Sequence, residues 1–416
     1  MSDTSRADRD VAVVGGGPAG LTAAWMAARH GARVTVFEQL PRPGLRLMAS
    51  GGGRGNLTTT LDLESIMARF GRSGRFLQPA LSMLDPAALR RWLAELGVPT
   101  FAPDGVHVYP VSESAADAQQ ALVRACTRAG VIFRLDCPVH GLSFQAVETA
   151  QLQTARGPWR GRNVILATGG RSYPKLGGGD QGYALARQAG HTVIPPLPAL
   201  VPLVTKETWP SACAGASVAD AELSLARRGR EAPCVRGALL FTHRGLSGPA
   251  ALDLSGEVSA RLADGAPVPA FLNLAPGRAP ADWTRDLEQL PRSNGTRRVA
   301  AWLDGFLPRS VAGALAAACG VPADLTASRL AADQRERLAA HLAGWPLTIV
   351  ATEGFDHAMV TRGGVSLREI DPHTLASRLV RGLYFAGEIV DLDGPCGGFN
   401  LQWAFSSGWL AGLSAL

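Results

Sequence analysis

VAVVGGGPAGLTAAWMAARHGARVTVFE, residues Val11 to Glu38, reads as a strand, a glycine turn, a helix and a second strand. Val11, Val13 and Val14 belong to a short apolar, β-branched run, the composition of a strand buried in a parallel sheet. Gly15, Gly17 and Gly20 follow at G-x-G-x-x-G spacing, with Pro18 and Ala19 opening the helix. At that spacing the first glycine permits a tight turn and the second lets backbone approach a pyrophosphate. The third lets helix and sheet pack closely. The helix N-terminus presents free N–H groups and a positive dipole to a diphosphate. Glu38 closes the second strand, where a carboxylate can take both hydroxyls of a ribose. The order of these parts implies dinucleotide binding and leaves open which dinucleotide is bound.

Outward from this stretch, the loop after Glu38 contains Ser50, Gly52, Gly53, Arg54 and Asn56. Four glycines with an arginine among them fit a second cofactor-contacting turn. Leu61 to Gly97 reads as two or three helices and Ala115 to Ala129 as another, ending at Gly130 before the strand VIFRLD. PVHGLSF and AQLQTARGPWRGRNVIL read as two or three antiparallel strands ending in a buried one, with Val139 placed for a backbone contact to adenine. The strand Val164 to Ala167 breaks at Thr168-Gly169-Gly170, so Ala167, Thr168 and Gly169 can approach a ligand through backbone. Gly177, Gly179 and Gly182 repeat the G-x-G-x-x-G spacing. Ser172-Tyr173-Pro174-Lys175 before them cannot be a buried parallel strand, so this is not a second Rossmann fingerprint. No dedicated NAD(P)H domain is expected.

A chain of 416 residues is too long for one ordinary core, so two or three domains are expected. The prolines at 195, 196 and 198 mark a boundary. The domain reading is a discontinuous cofactor domain, 1–195 and 346–416, with an insert at 196–345, β-rich over 196–278 and helical over 279–345. In the last part, Leu383 to Ala386 reads as a buried strand with Gly387, Glu388 and Asp391 at its carboxyl end. Gly397-Gly398-Phe399-Asn400 then opens a helix.

With 46% hydrophobic and 18% charged residues the composition is globular. MSDTSRADRD at the N-terminus has no apolar core of a signal peptide, and no apolar run spans a bilayer. A cytoplasmic protein without a membrane partner is expected. The net charge of +6 comes from arginines scattered through the chain, with Lys175 and Lys206 the only lysines. That scatter counts against a nucleic-acid partner. Six cysteines show neither C-x-x-C nor zinc-type spacing, so neither a dithiol relay nor a metal site is expected.

GGGPAG (Gly15 to Gly20), SGGGRGN (Ser50 to Asn56) and ATGGRSYPKLGGGDQGYALARQAGH (Ala167 to His191) carry a family likeness. So do FTHRGLSGPA (Phe241 to Ala250), ATEGFDHAMVTRGGV (Ala351 to Val365) and GLYFAGEIVDLDGPCGGFNLQWAFSSG (Gly382 to Gly408). In this order the set resembles the flavoprotein family of BaiN/RdsA-type NAD(P)/FAD-dependent oxidoreductases. The resemblance spans nearly the whole chain and is thinnest from Ala275 to Ala343. It implies an α/β fold: a discontinuous Rossmann-like FAD-binding domain interrupted by a β-barrel and a helical section. It also implies non-covalent FAD and, in members with an assigned activity, reduction of a carbon–carbon double bond conjugated to a carbonyl. One departure is visible. Members often carry Cys between the Arg and Asn of the glycine loop, and here that position is Gly55, so thiol chemistry is absent there.

The expected function is an FAD-dependent oxidoreductase passing hydride to a small organic acceptor such as an enone, with NAD(P)H docking transiently as donor. Gly15, Gly17 and Gly20 would hold the pyrophosphate and Glu38 the adenosine ribose. Glu388 and Asp391 would order the ribityl–phosphate region, and Gly398, Phe399 and Asn400 would meet the pyrimidine edge of the flavin. Tyr173, Ser50, His243, His357 and Cys396 are the candidates for a proton donor. An FAD-dependent RNA-modifying enzyme and a non-catalytic flavin redox sensor are the alternatives.

Overall fold

Every residue of β1 (Asp10–Val14) is buried, as its apolar run demands, because it is the central strand of a five-stranded parallel sheet. The computed structural model describes residues 10–145, 149–227 and 232–416. Across the sheet the order is Leu383–Phe385, Asn163–Leu166, β1, β2 (Arg33–Phe37) and Ile132–Arg134. All four pairings are parallel. The helix Pro18–Arg29 makes the crossover from β1 to β2, with proline at its first turn, where its missing N–H costs nothing.

The strand Leu383–Phe385 reaches this sheet from the far end of the chain, and the C-terminal helix Phe399–Ser414 packs along Pro18–Arg29. Glycine makes that approach possible. A Cβ on Gly408 would stand 2.3 Å from the Ala19 carbonyl oxygen, and one on Gly412 2.4 Å from that of Ala23. Hydrogen bonds fix the helix further. Trp403 Nε1 donates to the Gly387 carbonyl at 3.0 Å, the Gly387 N–H donates to Ser407 Oγ at 2.9 Å, and Asn163 Nδ2 donates to the Ala415 carbonyl at 2.9 Å.

The helices expected between residues 61 and 97 are Leu63–Arg69, Gly74–Met83 and Pro86–Glu95. Asp62 and Asp85 cap the first and last of these by accepting from the N–H groups of Ser65 and Ala88. Ala115–Arg128 is helical as expected. Val139–Gln145, Thr149–Thr154 and Gly157–Gly161 form the antiparallel sheet that precedes the buried strand Asn163–Leu166.

The chain forms two compact units, one of residues up to Leu197 together with Val360–Leu416, the other Pro198–Met359. In the second unit six strands close a barrel in the order Leu203–Thr205, Gly245–Ser247, Cys234–Phe241, Ser217–Leu225, Val268–Asn273 and Trp345–Thr352. The helix Pro249–Ala263 packs against all six. Reading this stretch as strands and turns missed that helix, because Ser255, Gly256 and Ser259 are buried on it and interrupt its apolar periodicity. Its start was signalled by Gly248 at φ 85° followed by Pro249. Pro280–Asn294, Val299–Leu303, Arg309–Ala318 and Ala332–Gly344 supply the helical part, and their apolar faces share one core with the barrel. No helix among the described residues is long and apolar enough to cross a membrane.

Alanine in place of glycine inside a helix normally stabilises by about 1 kcal/mol. Gly412→Ala should instead destabilise by about 1–3 kcal/mol, the usual cost of overpacking. A lower urea midpoint at unchanged slope is the expected observation, and an unchanged or higher midpoint would show that the close approach does not hold the unit.

Candidate functional site

The three glycines of the first turn have different surroundings. Gly15 has φ 102°, and a Cβ there would stand 2.5 Å from the Ala167 carbonyl oxygen. On Gly20 it would lie 1.9 Å from the Gly15 carbonyl oxygen, inside the turn itself. Around Gly17 nothing lies within 4 Å of that position. Gly15 and Gly20 are therefore required by packing, while Gly17 turns its bare backbone to open space at a helix N-terminus. Pro18 and Ala19 form the first turn of that helix.

Gly15, Gly17, Glu38, Val139, Ala167 and Thr168 line one cleft of about 200 Å³ at the carboxyl ends of the parallel strands. Glu38 is 8% exposed. It accepts hydrogen bonds from the N–H groups of Gly16 (2.7 Å) and Leu40 (2.9 Å), so it ties the end of β2 to the glycine turn. The Val139 carbonyl accepts from the Gln181 side chain. Gly177, Gly178 and Gly179 also line the cleft. The repeated glycine spacing is thus a wall of the first site, built on a turn in which Tyr173 takes φ 53°. Burial and the charge of Glu388 raise the Tyr173 phenol above its ordinary pKa.

Arg46 was not singled out in the sequence, and its guanidinium organises the floor of the cleft. It donates to the Thr168 carbonyl at 2.8 Å and the Gly170 carbonyl at 3.4 Å, and pairs with Glu388 at 3.1 Å. It lies so close over Gly169 (φ 70°) that a Cβ there would be 1.7 Å from Nη2. Glu388 in turn accepts from the Thr361 N–H at 2.7 Å and Ser172 Oγ at 3.2 Å. The carboxylate expected to order a ribityl chain is in this structure a clamp between three loops. A lone arginine just before a glycine loop was the available signal, but its partners lie more than a hundred residues away.

The remaining candidates do not line this cleft. Gly52 and Gly53, both at positive φ, have no neighbour within 4 Å of a Cβ and leave backbone open. Ser50 Oγ donates to the Leu47 carbonyl at 2.7 Å. Arg54 pairs with Glu113 and lies 4.6 Å over the Tyr109 ring. Asn56 meets Gly398, where a Cβ would be 2.9 Å from Asn56 Oδ1, so the glycine loop and the start of the C-terminal helix come together. Gly387 (φ 77°) faces the Ala19 side chain, and Phe399 is buried. The Asn400 side chain bridges the Gly394 N–H and carbonyl, each at 2.8 Å, and shapes the loop rather than projecting from it. Burial, then the neighbouring Asp393 charge, raises Asp391 above the usual carboxylate range against the opposing Arg362. His243 and His357 belong to the unit Pro198–Met359. None of the six cysteines is in a disulfide.

Two buried polar atoms at these places, Thr168 Oγ1 and Asn56 Oδ1, have no hydrogen-bond partner among the described residues. Buried polar atoms are nearly always paired. The open turn at Gly17 beside the Glu38 carboxylate fits one end of an extended dinucleotide, and the open backbone of Gly52 and Gly53 offers it further contacts.

A single glycine-turn βαβ unit, an acid ending its second strand and an inserted barrel define a Rossmann-type flavoprotein fold. The chain belongs to the family described as HI0933-like protein Rossmann domain, whose model matches residues 9–414. It is 32% identical over 412 residues to a 3-dehydro-bile acid delta(4,6)-reductase of Clostridium scindens, covering 97% of this chain and 98% of that protein. It is 31% identical over 414 residues to a ribosomal RNA dihydrouridine synthase of Haemophilus influenzae, covering 97% of each. Among solved structures it resembles the open conformation of a flavocytochrome c3 fumarate reductase, with TM-score 0.53 and 19% identity, over 98% of this chain and 78% of that one. That likeness speaks to the fold.

The glycine geometry separates folding from binding. Gly17→Ala should leave stability within about 1 kcal/mol, since no atom opposes the methyl and only the cap changes. It should weaken dinucleotide binding at least about tenfold, the loss of roughly 1.4 kcal/mol. Gly20→Ala should instead unfold the domain. Thermal melts beside equilibrium dialysis would read both, and a Gly17→Ala protein with full affinity would remove Gly17 from the site.

Proposed function

We propose that this chain binds FAD non-covalently and works as an NAD(P)H-linked reductase of a carbon–carbon double bond conjugated to a carbonyl, on a small organic acceptor. The observation that carries the reading is the occurrence of two backbone-lined places in one compact unit. One is the open turn at Gly17 beside Glu38, and the other is the junction of Asn56 with Gly398 at the N-terminus of a 16-residue helix. The relatives' names add the reaction class. A delta(4,6)-reductase and a dihydrouridine synthase both yield a saturated bond in place of one conjugated to a carbonyl.

In this reading Gly17 and the helix behind it hold the pyrophosphate, and Glu38 takes the adenosine ribose. The N-terminus of the helix Phe399–Ser414 faces the pyrimidine edge, where its dipole favours negative charge. Held there, FAD would supply the hydride-transfer chemistry between a nicotinamide donor and the β-carbon of the acceptor, with a proton needed at the α-carbon. Gly55 is no source of that proton. Its φ is 81°, and a side chain there would be pressed to 3.1 Å from Ala115 and 3.3 Å from Pro110.

A second reading, reduction of uridine in ribosomal RNA, is favoured by relatives matched over nearly the whole chain that carry that name. Anaerobic stopped-flow spectroscopy tests the first reading. NADH or NADPH should bleach the flavin, and a conjugated enone should restore its colour without oxygen. If neither nicotinamide bleaches it, the reductase reading fails. If bleaching occurs and only a uridine-containing RNA reoxidises it, the second reading replaces the first.

A further inference from the structure

The helix that begins at the glycine turn ends in a second pocket. Trp25 and Arg29 stand eight and twelve residues beyond Gly17, which places them about 12 and 18 Å along the helix axis. They line a cavity of about 290 Å³, larger than the cleft at Gly17, together with Trp92, Arg124 and Arg128. No role in the proposed reaction touches it.

Its walls differ in chemistry. On one side the indoles of Trp25 and Trp92 lie with ring centroids 5.1 Å apart, backed by Trp409 at 5.5 and 5.4 Å. Trp92 is 4% exposed, and its indole N–H has no acceptor among the described residues. On the other side the helix Ala115–Arg128 and the residue after it offer Ala121, Ala125 and Ala129, spaced four apart on one face. Ala121 and Ala125 are buried and close the floor of the groove with small side chains. Arg124 and Arg128 rise beside that face, and Arg29 lies 5.4 Å from the Trp25 ring centre.

The charge is unbalanced. Glu95 is the one acid in the lining against three guanidinium groups. Three helices end here, and their negative ends attract arginines in general. An arginine serving only that purpose would fold back onto the last carbonyls. Among the described residues none of these three donates to a carbonyl or pairs with a carboxylate. Their donors are free, in a groove with an aromatic wall.

We propose that this pocket is a second binding site, for a nucleotide, with the base against the half-buried Trp25, which Trp92 backs from the core, and the phosphate held by Arg29, Arg124 and Arg128. Indole faces accept any base, and guanidinium groups suit the several acceptor oxygens of a phosphate. The volume lies near the lower end of the range for small-molecule sites and suits one nucleotide. The same chemistry is met in a free 5′-mononucleotide and in one unit of single-stranded RNA. The site does not depend on the proposed reductase activity.

Calorimetry on the full chain saturated with FAD, so that the Gly17 cleft is filled, tests this. The probes are UMP, AMP, uridine, inorganic phosphate and a short oligouridylate at low salt. A mononucleotide should bind more tightly than phosphate or uridine alone, because it engages both walls. Arg124→Gln with Arg128→Gln should weaken it at least about tenfold, a loss near 1.4 kcal/mol, and Trp25→Leu should do the same. The arginine pair is exposed, so that variant stays folded if Trp25→Leu disturbs packing. An oligouridylate binding more tightly than UMP, with the same sensitivity, assigns the site to RNA, and equal affinities assign it to the free nucleotide. No binding of UMP, AMP or the oligonucleotide overturns the proposal. So does phosphate binding as tightly as UMP, or affinity unchanged by the arginine substitutions.

Discussion

The fold depends on two helices from opposite ends of the chain lying closer together than side chains allow. Gly408 and Gly412 of the C-terminal helix meet the carbonyl oxygens of Ala19 and Ala23 without a Cβ between them. That contact brings Leu383–Phe385 to the sheet and sets Gly387 against the first turn of the glycine helix. Without it the glycine turn would keep its local geometry but would lose the C-terminal backbone that Gly387 brings against its helix. The site is therefore a product of long-range packing, although each half is built from local glycine chemistry.

How far this was legible follows from the range of each interaction. The strand, turn, helix and strand from Val11 to Glu38 obey local rules, so their place in the centre of a parallel sheet could be read directly. The C-terminal strand and helix were equally plain, since Gly387 and Gly398 stand where the chain must take positive φ. The helix Pro249–Ala263 was not, because buried serines and a glycine erase its apolar stripe. Arg46 was hidden for another reason. Its meaning lies in Thr168, Gly170 and Glu388, and nothing near residue 46 points to them.

The second glycine series shows the limit of motif reading. Its spacing at Gly177, Gly179 and Gly182 equals that of the first, yet it follows a short 3₁₀ turn rather than a strand. What this glycine stretch shares with the first is close approach of backbone, with one open position in each, Gly179 and Gly17. Gly178 lies so close to the Ser172 carbonyl oxygen that a Cβ would be 2.0 Å from it, and Gly182 so close to Thr168 that Oγ1 would be 1.8 Å away. Spacing told only that backbone comes near something. The strand before it, or its absence, told what.

Charge and backbone have exchanged the roles that composition gives them. The groups a reader would nominate as ligand contacts are largely occupied in holding the chain. Glu38 binds the N–H groups of Gly16 and Leu40, Glu388 holds Arg46 and Thr361, Arg54 is paired with Glu113, and Asn400 closes its own loop. The surfaces left open are neutral backbone at Gly17, Gly52 and Gly53. This division has a physical reason. Peptide N–H groups fixed by a clamp cannot swing away, so they meet a charged ligand without the entropy cost of ordering a long side chain. A carboxylate that holds a turn in place takes up the N–H groups it binds, and by fixing them it sets the neighbouring open backbone, such as Gly17 beside Gly16, toward the ligand. Removing such a residue would loosen the geometry of several donors at once, an effect larger than the loss of one hydrogen bond and different in kind.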